Sequence, residues 1–158
     1  MNRTHLIFLA AFGSGALLLA AFVFQYLGWA PCKLCLWQRW PHAAAVVIGA
    51  IALFAARSHQ RLLAGLGALA ALTTAGIAGY HTGVERKWWE GPTSCTGTGG
   101  GLGDLSATEL VPGASDAPLL VLCDSFTPFL FGLSMANWNM IAALGLVVIW
   151  IAAFRRAS

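Results

Sequence analysis

Apolar residues run through this chain in long stretches with no charge, broken by short polar segments. A bilayer core of about 30 Å is crossed by about 20 such residues at 1.5 Å each. Leu6–Ala30 holds 25 uncharged residues and Leu62–Tyr80 holds 19. Ser125–Phe154 holds 30, more than one straight span needs. Pro128, Gly132, Asn137 and Asn139 mark its first part as an approach, leaving a span near 133–154. The weakest run is Ala43–Ala56, 14 residues, which becomes 21 if it starts at Leu36 and carries Gln38, Arg39 and His42 at one end. A long side chain there can snorkel to the interface. The pattern predicts an all-α membrane protein, a four-transmembrane-helix bundle in one integral membrane domain, 1–158. Its spans are expected at about 6–29, 36–56, 62–80 and 133–154, with a long outer loop of about 81–132 between the third and fourth helices.

Composition agrees. Hydrophobic residues are 58% and charged residues 9%, against roughly 25% charged in soluble domains. So few charges cannot coat a water-soluble surface, and mean hydropathy is +0.73. The nine Lys and Arg are scattered singly, which excludes a nucleic-acid patch and leaves the lipid bilayer as partner. The first run is too long for a signal peptide core, and Trp29-Ala30-Pro31 is a poor cleavage site, so it is expected to stay as a span. The third run is rich in Ala and Gly at spacings that let helix backbones approach, which is packing rather than a site. In the outer loop, Thr96–Asp104 reads as a glycine-rich strap and Ala117–Cys123 as a short interfacial segment.

All four cysteines, Cys32, Cys35, Cys95 and Cys123, fall on one side of the expected spans, where an oxidising compartment would keep disulfides. Four cysteines allow three connectivities. Cys32 and Cys35 can hardly avoid each other, which leaves Cys95 with Cys123. Two inert staples are one reading, but a short loop between anchored helices gains little entropy from closure. Cys-x-x-Cys is instead a redox spacing. A helix starting at or just after Cys35 would favour its thiolate, as would Arg39 one turn later. A four-cysteine zinc site lacks the second paired spacing and is not expected. His81, just past the third span, could serve as an interfacial histidine or donate to a polar head group near Cys35.

At Pro31-Cys32-Lys33-Leu34-Cys35-Leu36-Trp37-Gln38-Arg39 the chain resembles the disulfide bond formation protein B (DsbB) family of bacterial inner membranes. Tyr80-His81-Thr82, the separated loop cysteines and Cys123-Asp124 support the resemblance, which covers almost the whole chain. It implies a quinone-dependent thiol–disulfide oxidoreductase that reoxidises a DsbA-type periplasmic thiol oxidase. The cofactor would be ubiquinone or menaquinone. It further implies that Cys95 takes the mixed disulfide with that partner, that Cys123 is its paired cysteine, and that electrons pass to Cys32–Cys35. Cys35 would face the quinone, with Arg39 polarising a carbonyl and His81 nearby. The alternatives are a vitamin K epoxide reductase-like enzyme, or a non-enzymatic membrane subunit with two structural disulfides.

Charge gives the orientation. One side would carry Arg3, Arg57, Arg61, Arg155 and Arg156 with no acid; the other would carry all six acids. By the positive-inside rule both termini are cytoplasmic. Six of seven tryptophans lie near the outer ends, as an aromatic belt would, and Trp150 lies toward the inner end. An alkaline phosphatase reporter fused after Ser158 is expected to be inactive; activity there would invert the topology.

Overall fold

A computed structural model describes residues 2–92, 95 and 122–156. They form four helices: α1 (Arg3–Tyr26), α2 (Lys33–Phe54), α3 (Arg57–Glu85) and α4 (Met135–Arg155). No strand occurs among the described residues beyond an isolated bridge between Leu130 and Leu133. Three helices, α1, α3 and α4, are long and apolar enough to cross a membrane. The strap and most of the short interfacial segment lie outside the described residues.

Each helix starts or stops for a local reason. Asn2 caps α1 by accepting from the His5 N–H at 2.9 Å, which satisfies one of the orphan donors of the first turn. Gly28, at φ +94°, turns the chain out of α1. α2 begins at Lys33, earlier than the sequence pattern suggested, because the Cys32 sulfur acts as its cap. It then runs unbroken through Pro41 to Phe54. α3 continues as helix for five residues past Tyr80, so His81 and Glu85 are both on its last turns. Lys87, at φ 58°, takes the left-handed position that ends it. α4 starts at Met135, close to the expected 133, because Ser134 caps it, and Asn137 and Asn139 lie in its first turns.

α3 packs on α2 and α4, and α1 closes the circuit by packing on α2 and α4. The interior is built from small residues, with Ala10, Ala45, Ala52, Ala64, Ala71, Ala78, Ala143 and Ala153 all buried. The outside carries large ones: Phe12, Leu19, Phe54, Leu62, Leu69 and Val148 are each more than half exposed. Water would not tolerate that inversion over such an area, whereas lipid does, since helices in lipid associate through close packing of small residues. The family of small residues on α3 is therefore interior packing, as expected. Trp150 is not part of a belt: it is fully buried, and its indole fills the notch left by Gly67.

One end of the bundle is tied by Arg3, itself only 8% exposed. Its guanidinium donates to the carbonyls of Ala153 at 3.2 Å, Arg57 at 3.3 Å and Arg156. A cation on the orphan carbonyls at the end of α4 suits both their hydrogen-bonding need and the helix dipole.

A methyl group on Gly67 would come within 2.6 Å of the Trp150 ring. Gly67→Ala should therefore destabilise by about 1–3 kcal/mol through overpacking, seen as a lower melting temperature in detergent. Gly76, whose added methyl meets nothing within 4 Å, is the control, and Gly76→Ala should not fall.

Candidate functional site

The end opposite the Arg3 clamp gathers the chemistry. Cys32, Leu34, Val84, Cys95 and Cys123 form one buried cluster with Cys35 packed against it. The Cys35 N–H donates to the Cys32 sulfur at 3.2 Å, and the Cys32 thiol donates to Cys35 Sγ at 2.8 Å. That second bond sets the two sulfurs apart chemically. It raises Cys32, with burial adding to the effect, and it is the main influence lowering Cys35, with the Arg39 charge a smaller one. A lowered thiol is the more reactive one.

Cys123 is drawn in by its backbone, whose N–H donates to the Cys95 carbonyl at 2.8 Å. Its sulfur, the Cys32 sulfur and a ring nitrogen of His81 all lie within 4.8 Å of one another. Both ends of the outer connection are therefore seated against the Cys-x-x-Cys turn. These three atoms are also the donors a soft metal ion would find. The arrangement is Cys-His-Cys rather than the four-cysteine site considered from sequence, and the same sulfurs are those that thiol exchange uses.

His81 is held from both sides. Its Nε2 is 3.5 Å from Cys32 Sγ and 3.8 Å from Glu85 Oε1, and its Nδ1 is 3.0 Å from Gln38 Nε2. It therefore meets Cys32 more directly than Cys35. Behind it runs a chain of buried polar groups. His42 Nε2 lies 3.0 Å from Asn139 Oδ1, and Asn139 Nδ2 donates to Gln38 Oε1 at 2.7 Å. Thr74 Oγ donates to the Gln38 carbonyl at 3.0 Å. With Gln38 Oε1 accepting from Asn139, its amide N–H donates to His81 Nδ1, which places the ring proton on Nε2, facing Cys32 and Glu85. Glu85 is fixed in turn by the Ser134 hydroxyl, which donates to Oε2.

Arg39 lies one turn beyond Cys35, yet its guanidinium reaches across to α1. It donates to Gln25 Oε1 at 2.6 Å and to the Ala21 carbonyl at 3.2 Å, and it stacks 4.8 Å from the Phe22 ring. A cavity of about 330 Å³ opens between these groups. Its walls include Leu17, Ala21, Phe24, Trp29 and Trp138, and Cys35, Gln38, Arg39, His42, His81, Glu85 and Asn139 bring polar atoms to it. Phe24, Trp29 and Phe129 cluster in its lining with centroids 5.4–6.1 Å apart, and Phe129 meets the other two rings edge-on. An apolar slot with a few converging donors suits a flat ring carrying carbonyl oxygens and an apolar tail.

Of the residues singled out from sequence, Cys32, Cys35, Cys95, Cys123 and His81 come together, and Arg39 lines the same cavity. The sequence reading missed His42, Thr74, Glu85, Ser134 and Asn139. One signal was available: Glu85 is four residues beyond His81, on the same helical face. Nothing local in the sequence pairs Asn139 with Gln38.

The family model for disulfide bond formation protein DsbB matches residues 3–153. The chain is 30% identical to disulfide bond formation protein B of Herminiimonas arsenicoxydans, with 99% of each chain covered. It is 32% identical to the protein of that name from Azoarcus sp. (strain BH72), covering 98% of this chain and 95% of the other. No solved structure gives a significant match. A multi-pass membrane chain with its cysteines gathered at one end, matched along nearly its full length, belongs to the DsbB family and is a membrane oxidoreductase of disulfide bond formation.

Proposed function

We propose that this chain reoxidises a DsbA-type periplasmic thiol oxidase and passes the electrons to membrane quinone, as a protein disulfide:quinone oxidoreductase of the bacterial inner membrane. The observation that carries this reading is the convergence of Cys123, Cys32 and His81 within 4.8 Å beside a cavity reached by Cys35. In this reading α2 is the fourth span, both termini are cytoplasmic, and the cysteines face the periplasm.

The relay is a series of thiol exchanges followed by one two-electron oxidation. A partner thiolate attacks the Cys95–Cys123 disulfide at Cys95, releasing Cys123 as thiolate. The partner's second thiol then displaces Cys95, leaving the partner oxidised and Cys95 and Cys123 reduced. The Cys123 thiolate next attacks Cys32 of the Cys32–Cys35 disulfide, with Cys35 as leaving group. Low-pKa thiols leave faster, and at this step, where Cys32 carries no proton to donate, the first turn of α2 and the Arg39 charge favour the Cys35 thiolate. Cys95 closes onto Cys123, and Cys32 and Cys35 are left as the reduced pair. Arg39 and His81 would hold a quinone in the cavity, where it would supply the two-electron acceptor. A strong acceptor is required because a DsbA-type partner has a potential of about −120 mV, and each 30 mV costs about 1.4 kcal/mol.

Cys123→Ser should accumulate a mixed disulfide between Cys95 and the partner, visible on non-reducing gels, because the paired thiol is gone. Cys95→Ser should trap nothing there; trapping through Cys32 or Cys35 would reverse the order of the relay.

Arg39→Ala removes charge-assisted hydrogen bonds worth about 1.5–3 kcal/mol. Apparent quinone affinity or turnover should fall roughly ten- to hundred-fold, while single-turnover exchange with the partner is unchanged. Arg39→Lys should recover only part, since a point charge does not reproduce the planar fork that spans Gln25 and Ala21. Normal quinone dependence in Arg39→Ala would make Arg39 a brace between α1 and α2 only.

A further inference from the structure

Glu85 is the only buried acid among the described residues, 7% exposed at the last residue of α3. It lines two spaces at once. One is the apolar cavity shared with Cys32, Cys35 and His81; the other is an open outer cleft shared with Arg86, Trp88, Phe126 and Gly132. Its two oxygens have different partners: Oε1 stands 3.8 Å from His81 Nε2, and Oε2 accepts the buried Ser134 hydroxyl. Burying a carboxyl costs free energy unless its oxygens are partnered, and a packing position would be served better by an apolar side chain. The placement suits a group that meets the sulfurs on one side and water on the other.

The sulfur chemistry has a need that fits it. When Cys32 and Cys35 close to a disulfide, two electrons leave for the acceptor and two protons leave the sulfurs. In a pocket whose walls include Leu17, Phe24 and Trp29, a proton acceptor beside the sulfurs would serve that step. We propose that Glu85 is the proton carrier of the Cys32–Cys35 pair, taking a proton from the sulfur side and exchanging it through the outer cleft. His81 Nε2 stands between the Cys32 sulfur and the carboxyl. The groups facing Glu85 are His81 on its own helix, Arg86 at that helix's cap, Cys35 on α2 and Ser134 at the cap of α4. Cys32 and Cys123 lie on the far side of His81.

The proposal rests on the proposed relay only for the identity of the physiological acceptor, so its test starts without quinone. Ferricyanide takes electrons alone, and two ferricyanide ions oxidise the dithiol and release two protons to solution. Every protein compared carries Cys95→Ser and Cys123→Ser, which leaves Cys32–Cys35 as the one dithiol, with native Glu85 in that background as the wild-type reference. The reduced protein in detergent is mixed with ferricyanide beside a pH-indicator dye. Proton release and sulfur oxidation are then followed from pH 5 to 9. Wild-type protein should show a pH-dependent rate. Glu85→Gln keeps an acceptor for Ser134 but carries no proton, and it should be about 100-fold slower, the size of a lost general acid–base group, with a flattened profile. Glu85→Asp should retain a large part of the rate, and formate should partly restore Glu85→Ala, which neither would do if the carboxyl only braced Ser134. Glu85→Gln with the wild-type rate and profile overturns the proposal, and so does absence of formate rescue. A parallel run with a soluble quinone separates the two readings: failure of wild-type protein to reduce quinone would sink the relay and leave the ferricyanide result standing.

Discussion

The rest of this molecule depends on the Gln38 side chain, a buried amide between helices that has to find partners inside the bundle. A buried donor or acceptor left alone costs about 1–3 kcal/mol. Gln38 meets that demand by accepting from Asn139 on α4 and donating to His81 on α3, and Thr74 takes its backbone carbonyl. Three helices are thereby locked in register by one residue on the second turn of α2. The same bonds decide which nitrogen of His81 carries its proton and so what Cys32 faces. Packing contributes to the same register, with Trp150 seated at Gly67 and Leu146 against Gly13.

The two ends of the bundle solve different problems with the same physics. At one end Arg3 satisfies carbonyls that helix termini leave without donors. At the other, the free donors and acceptors are used for chemistry: Cys32 caps α2 with a sulfur, and Ser134 caps α4 while holding Glu85. A cap made by a reactive group couples the start of a helix to the state of a bond.

The sulfurs are unequal by construction. Cys32 donates to Cys35 and lies beside the His81 ring, and both cysteines line the cavity. In the proposed relay Cys32 is the sulfur attacked and Cys35 the one released. Arg39 belongs to the cavity's far wall, where its bonds to α1 hold the helix that supplies Leu17, Ala21 and Phe24.

The sequence alone determined the class of the molecule, because fifteen charges among 158 residues leave no soluble alternative. Runs such as Leu62–Tyr80 also located the helices to within a few residues. Cys-x-x-Cys followed by Arg39 marked the chemistry, since those features are local and survive without a fold. Helix ends were less legible. The start of α2 at Lys33 depends on a sulfur acting as cap, and the extension of α3 to Glu85 depends on buried partners from α4. Only the tertiary structure decided that Cys123 lies against Cys32 across 91 positions, and that Asn139 reaches Gln38 across 101. No periodicity encodes such pairings: they arise when polar residues, each unremarkable in its own segment, are the only ones available to satisfy one another inside an apolar bundle.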